Sequence, residues 1–225
     1  GSIVEENLAS YGDEWKGVKL DDAQDGLYNP EKAKAEFAKA KEALQAEGVE
    51  FPIHLDIPVS SADTNGVKSV QSLKQSIEAN LGSDNVVIDI QQMTDDELNN
   101  ITYFANSASQ EDWDLNNNLG WSPDYNDPSS YLEITGSKTG ENVDSYFGFD
   151  PGTDNAAAKE AGFEEYDKLL EDAAAENEDI NKRYEKYAAA QAWLTDSALL
   201  IPAWSNGATP SVRKVVPFSG PFAWT

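Results

Sequence analysis

Along residues 29–105 the apolar positions switch repeatedly between a helical and a strand period. Ala33, Phe37, Ala40 and Leu44 fall at helical spacing behind Asn29-Pro30-Glu31. That opening suits a helix start: asparagine at the N-cap, proline at the first position, and an acid at the positive end of the helix dipole. Gly48 is a natural stop. "FPIHLDIPV" (51–59) then alternates, with Phe51, Ile53, Leu55, Ile57 and Val59 on one face and Pro52, His54, Asp56 and Pro58 on the other. This predicts a strand, and its prolines place it at an edge or in an interrupted ladder. Val67, Val70, Leu73, Ile77 and Leu81 predict a second amphipathic helix, ended by Gly82. "VVIDIQQM" (86–93) predicts a second strand. Thr94-Asp-Asp-Glu97 predicts a capping box that opens a short helix toward Phe104.

Helix, strand, helix, strand, helix in that order implies an α/β layer with at least one parallel crossover. Residues 112–121 are expected to return to the sheet, with Trp113, Leu115, Leu119 and Trp121 as its apolar members. Residues 122–160 are rich in Gly, Pro, Asp, Asn and Ser and predict a long loop region with one helical turn near Ser129–Leu132; loops of that length are usually functional or mobile. Two helices follow, one carrying Phe163, Tyr166, Leu169, Leu170 and Ala173, the other Ile180, Tyr184, Tyr187, Ala188, Gln191 and Leu194. "ALLIPAW" (198–204) and "VRKVVPF" (212–218) predict late strands. No repeat, low-complexity tail or clear linker divides the 225 residues.

Composition narrows the function more than the fold. A formal charge of −25 repels nucleic-acid phosphates and anionic lipid headgroups, so no nucleic-acid partner is expected. The same charge keeps copies apart, which favours a monomer. With no cysteine there is no disulfide scaffold, thiol nucleophile or thiolate metal site. No run approaches the ~20 apolar residues that would span a bilayer, and no basic-then-apolar signal pattern opens the chain. Two readings of location follow: a cytosolic protein, or a mature piece of something longer.

Candidate chemistry is sparse. His54 is the only histidine, and no serine or cysteine stands at a triad-like spacing. With 41 acidic residues, any carboxylate pair is statistically cheap. "DWDLNNN" (112–118) places Asp112, Asp114 and Asn116 at positions 1, 3 and 5 of a calcium loop. Asn117 and Pro123 stand where Gly and Glu are required, so the match fails. No Walker loop or dinucleotide glycine pattern is present. Trp113 and Trp193 are read as core. Trp121 differs, because Pro123 stops a ladder there and Asp124 follows at the loop mouth. An indole face beside a carboxylate suits a cationic or amphipathic ligand; a capped turn over the core is the competing reading.

"DWDLNNNLGWSPDYNDPSSYLE" resembles the signature segment of the extracellular oligopeptide-binding proteins of ABC importers (solute-binding protein family 5). That family carries an aromatic-Asp strand, Gly-Trp, then Asp-Tyr and Asn-acid-Pro before a short helix. "DGLYNPEKAKAEFAKAKEAL" is similar to the family's Tyr-Asn-Pro helix start. "SALLIPAWSNGATPSVRKVV" is similar to its late strands. Order and spacing agree over about residues 20–220, and the nearest likeness is to the Ami/Ali-type lipoproteins of streptococci, which are Gram-positive.

The resemblance implies a periplasmic-binding-protein-like α/β lobe, a mixed sheet flanked by helices. Residues 1–225 would form the second lobe of a two-lobed protein, with the first lobe, the lipoprotein cysteine and the signal in an absent N-terminal part. It implies an extracellular, membrane-anchored, non-enzymatic component that captures oligopeptides for ABC permease subunits, without cofactor or metal. Carried over residue by residue, Trp121 would line a side-chain pocket. Leu119, Gly120 and Ser122 would offer backbone groups to an extended peptide, and Asp124 would anchor its α-ammonium. Asn118 stands where some relatives place an arginine for the carboxylate end of short peptides, which points to longer peptides or another anchor. Trp204 and Asn206 fall near cleft-facing aromatics of relatives. A glycan-binding or glycan-hydrolysing domain with an aromatic platform is the alternative; it requires two carboxylates at a glycosidase separation. A surface interaction domain is the third reading, and it requires Asp124 to cap its own turn.

Overall fold

The computed structural model describes residues 29–117, 120–121, 124–125, 127–140, 145–147 and 156–201. Helix α1 (Pro30–Ala46) starts as the sequence predicts, with the Lys32 N–H donating to Asn29 Oδ1 at 3.0 Å. After it the chain passes Gly48, at φ +88°, into strand β1 (Ile53–Ser60). Helix α2 (Thr64–Leu81) is capped by Asp63 and ends at Gly82. There φ is +90°, a conformation that favours glycine because it has no Cβ. Strand β2 (Val86–Met93) then pairs with β1 in parallel, in a register running from Ile53↔Val86 to Ser60↔Met93. This is the expected crossover: α2 returns the chain to the start of a parallel neighbour.

The register sets which faces meet. Ile57, Val59, Val86 and Ile88 are buried together with Val70 of α2, and Phe37, Leu55, Val67, Leu73, Ile77, Leu81 and Leu115 pack around them. The opposite face is polar. Asp56 lies across from Asp89, Gln91 Nε2 donates to Asp56 Oδ1 at 2.9 Å, and His54 Nδ1 sits 2.6 Å from Asp89 Oδ2. His54 is thus an exposed, hydrogen-bonded strand histidine, as its sequence setting suggests. The outward backbone of Ile88 is also occupied. Its N–H donates to Glu78 Oε1 at 3.0 Å, its C=O accepts from Lys74 Nζ at 2.7 Å, and these two side chains pair at 2.5 Å. The hydrogen bond from Lys74, followed by that from the Ile88 N–H, holds the Glu78 carboxyl below its usual range.

Thr94 and Glu97 form the predicted capping box at the start of helix α3 (Asp95–Asn100). The helix stops short of Phe104: Asn99, Asn100, Ile101 and Thr102 are weak helix formers, and the chain turns there instead. Residues 112–117 do not form the expected strand; among the described residues the sheet is β1 and β2. The segment leans on β1 at one residue. Asp56 O accepts from the N–H groups of Asp114 and Leu115 at 3.1 and 3.0 Å, while the Asp56 N–H goes to Asp114 Oδ2 at 2.8 Å. A carboxylate takes the place of a ladder carbonyl, a local competition that aspartate brings. It is also the carboxylate that the failed calcium-loop spacing would use. Leu115 still packs on the sheet core, and Trp113 donates its indole N–H to Ile101 O at 2.8 Å.

The second half is helical. Helix α4 (Ser129–Leu132) is the predicted single turn and runs into a 3₁₀ turn at Glu133–Thr135. A 3₁₀ turn at Ser145–Phe147 and the short helix α5 (Ala156–Glu160), which the sequence pattern does not announce, follow. Helices α6 (Phe163–Ala174) and α7 (Ile180–Asp196) bury Phe163, Tyr166, Leu170, Ala173, Tyr184, Tyr187, Ala188 and Leu194 against Leu132. Ile180 departs from the predicted stripe. It is the first residue of α7, before the helix reaches its partner, and is exposed. Trp193 stacks on Tyr166 at 5.3 Å, in keeping with its reading as core. Tyr166 is satisfied in turn: its OH lies 2.8 Å from both Leu132 O and Thr135 Oγ1. Of the expected strand at 198–204, residues 198–201 form a turn and bend, with Ala198 at φ +58°; the remainder, and 212–218, lie outside the described residues.

Candidate functional site

The segment from Trp121 to Leu132 is built around Ser130 and Asp127. The Trp121 indole N–H donates to Ser130 O at 2.6 Å, which fixes the ring at its polar end and leaves the side chain about half exposed. The Asp124 N–H donates to Ser130 Oγ at 2.9 Å. The Tyr125 OH lies 3.1 Å from Ser129 Oγ, and its ring is exposed. Two exposed aromatic rings thus flank Asp124 in sequence, each tied by its polar end to the one-turn helix α4.

Asp127 holds that helix. Its Oδ1 accepts from the Ser129 N–H at 3.0 Å and its C=O accepts from the Ser130 N–H at 3.1 Å. Pro128 fits the first turn because no N–H is required there. From α7, Arg183 grips the same carboxylate, with Nη2 at 3.0 Å from Oδ1 and Nε at 3.4 Å from Oδ2. Both side chains of this pair are only 19% exposed. Arg183 Nη1 also donates to Ala173 O at 3.2 Å, at the carbonyl end of α6, where a cation is favoured. Its guanidinium lies 4.9 Å over the Tyr187 ring, and Tyr187 OH donates to Glu133 Oε1 at 3.1 Å. Burial above all, and then the Glu133 charge, pushes the Tyr187 hydroxyl up.

Burial works to raise Asp127 as well, yet the hydrogen bonds from Arg183 and Ser129 together outweigh it and leave the carboxyl below its ordinary range. The sign of the linkage is then fixed. A carboxyl depressed in the folded state contributes stability that is present above its unfolded value of about 4 and lost as pH falls through the folded one. Asp127→Asn is therefore expected to flatten the loss of stability below about pH 4. Urea midpoints of both proteins at neutral and acid pH check this; parallel acid profiles would exclude Asp127 as a contributor.

The structure places the sequence-predicted residues as follows. Trp121 and Asp124 are brought together on Ser130. Gly120 is exposed, and a side chain there would meet nothing within 4 Å. No strand ends at Trp121; the ring is set by its indole hydrogen bond instead. Asn118, Leu119, Ser122, Trp204 and Asn206 lie outside the described residues. Among the described residues the Asp124 carboxylate accepts no hydrogen bond, and the turn-capping role belongs to Asp127. No three acidic or histidine side chains among the described residues are grouped to hold a metal, and no described helix is long and apolar enough to cross a membrane. Arg183 escaped the sequence reading. Its signal was rarity: it is one of two arginines in the chain, on a helix whose other cations are lysines.

A parallel α/β unit followed by a helical layer gives a mixed helix-and-sheet fold, with a hydrogen-bonded tryptophan and an exposed carboxylate on one loop. The chain belongs to the bacterial extracellular solute-binding proteins, family 5, whose middle-region profile matches residues 2–143. It is 65% identical over its full length to the oligopeptide-binding protein SarA of Streptococcus gordonii, and 62% identical over 99% of its length to AliA of Streptococcus pneumoniae. It spans 34% of the length of each. Among solved structures, the unliganded open form of MppA, a periplasmic murein tripeptide-binding protein, matches with a TM-score of 0.52. The likeness covers 74% of this chain and 27% of that one, at 23% identity, and is one of fold.

Proposed function

We propose that this chain is the second lobe of an oligopeptide-binding protein and supplies one wall of its cleft. The observation that carries the reading is the Asp124 carboxylate, exposed and unpartnered among the described residues, beside a tryptophan whose orientation its indole hydrogen bond fixes. A lone carboxylate on a rigid turn suits an ammonium group: the charge-assisted bond is strong, and the indole covers the apolar flank. The identity to oligopeptide-binding relatives supports reading that ammonium as the free N-terminus of a peptide. Main-chain groups at 118–122 would pair with the extended backbone, which gives tolerance of sequence. Trp204 and Asn206 are assigned to the same wall.

On this reading the whole protein is an extracellular lipoprotein that delivers peptide to ABC permease subunits. Its first lobe closes over the ligand, it acts as a monomer, and it binds without cofactor or catalysis. The test is a tryptophan-fluorescence titration of the intact parent protein with a pool of free-amine oligopeptides and with the same pool N-acetylated. Binding that acetylation weakens at least tenfold is the expected result. Equal binding of the two pools removes Asp124 from its role. Binding of neither, with binding of oligosaccharides, replaces peptide by glycan.

A further inference from the structure

We propose that Arg183 is a positioning residue for the ligand site: through Asp127 it sets the place of both Trp121 and the Asp124 carboxylate. The proposal rests on the reading of Asp124 as an ammonium anchor. The links are continuous. Arg183 holds the Asp127 carboxylate through two nitrogens. Asp127 holds the N–H groups of Ser129 and Ser130. Ser130 accepts the Trp121 indole at its carbonyl and the Asp124 N–H at its hydroxyl. From guanidinium to ligand group the relay takes three hydrogen-bonded steps and crosses 56 residues of sequence.

Among the described residues, few other contacts hold the exposed part of the loop. Gly120, Trp121, Asp124 and Tyr125 are exposed, so burial of apolar surface cannot fix their positions. Helix α4 is a single turn; its C-terminal end is seated by Leu132 in the α6–α7 core, and its N-terminal end, from which the loop leaves, is held through Asp127. Arg183, in contrast, stands on the 17-residue helix α7 and is fixed from three further sides, by the Ala173 and Ala174 carbonyls and by the face and hydroxyl of Tyr187. These contacts need a planar fork with donors pointing in several directions at once. A lysine ammonium could keep the charge but not the geometry. The relay therefore carries the order of the α6–α7 pair to the exposed loop, and it is the arginine fork, not merely a positive charge, that does so.

The intact parent protein tests this with Arg183→Lys, which keeps Asp127 from being left as a buried unpaired charge. Deuterium uptake at residues 120–131 and affinity for the free-amine and N-acetylated peptide pools are measured together. Expected are faster uptake in that segment, unchanged uptake in α6 and α7, and an about tenfold loss of affinity for free-amine peptides, the equivalent of one hydrogen bond to a charge. Affinity for acetylated peptides should fall less, because they lose only the placement of Trp121. Asp127→Asn should reproduce the effect, and the double variant should add little, since both act through one contact. Unchanged uptake, or an equal loss for both pools, would overturn the proposal, the latter because general destabilisation does not distinguish the ammonium. If the wild-type protein itself does not discriminate between the pools, the anchor reading falls and takes this one with it. The wild-type ratio thus tells the two failures apart.

Discussion

Truncating Phe163 to alanine is expected to destabilise the chain by about 3–5 kcal/mol, among the largest effects a single core substitution produces. The ring is 2% exposed and stands at the first position of α6, where, among the described residues, Phe147, Trp193 and Tyr166 converge on it. Phe147 lies at 5.4 Å, Trp193 at 5.8 Å and Tyr166 at 6.1 Å, the last two edge-on. Phe147 is contributed by the 3₁₀ turn at Ser145–Phe147, Tyr166 by the next turn of the same helix, and Trp193 by α7. Removing the ring opens a cavity that no single element can close by shifting, because each of the others is held elsewhere: Tyr166 by Thr135 and Leu132, Trp193 by stacking on Tyr166. For a chain of this size the melting temperature should fall by roughly 6–20 °C. Thermal unfolding followed by near-ultraviolet circular dichroism measures it. A loss below about 1 kcal/mol would mean that the site collapses freely and that these rings are not a packed core.

Asp124→Asn is expected to lower the affinity of the intact parent protein for free-amine peptides by about 30- to 1000-fold, or 2–4 kcal/mol, and to leave N-acetylated peptides nearly unaffected. The substitution keeps the shape, and its backbone N–H can still donate to Ser130 Oγ. On the proposed reading, what it removes is the negative charge opposite an ammonium that would be shielded from water in the closed cleft. Desolvation gives such a pair its weight, so the loss should shrink in a chain that carries one wall only. Isothermal titration with matched peptide pairs checks this. Equal losses for both pools would assign Asp124 to the loop's structure and not to the ligand.

The first half of the fold was legible because its punctuation is local. Asn29-Pro30, Gly48, Gly82 and the Thr94–Glu97 box each act within a turn of their own position, and each bounds an element in the structure. The expected strand at 112–121 failed for a reason of the same kind. Trp113 and Leu115 have the right period, but Asp114 between them binds β1 with its carboxylate where a strand would offer a carbonyl. At the site, the sequence singled out Trp121 and Asp124 by type. It could not tell which of Asp124 and Asp127, three residues apart, is free and which is bound. That distinction is made by Arg183 on a distant helix, and no local pattern carries it.

The ion pair along β2 has a consequence for how the sheet can grow. A strand joins an edge by exchanging main-chain hydrogen bonds, and at Ile88 both outward groups are already engaged by Lys74 and Glu78. These two side chains imitate, at one residue, the donor and acceptor of a neighbouring strand. An extended segment from another molecule arriving there would have to displace a charged pair and leave both charges beside an apolar strand. The outer edge of β1 is engaged in the same way at Asp56, whose N–H and C=O are taken by Asp114 and Leu115, so among the described residues both edges of the pair are occupied near their middle. For a protein whose proposed task is to accept foreign chains in extended form, occupied edges on this strand pair disfavour strand addition as self-association.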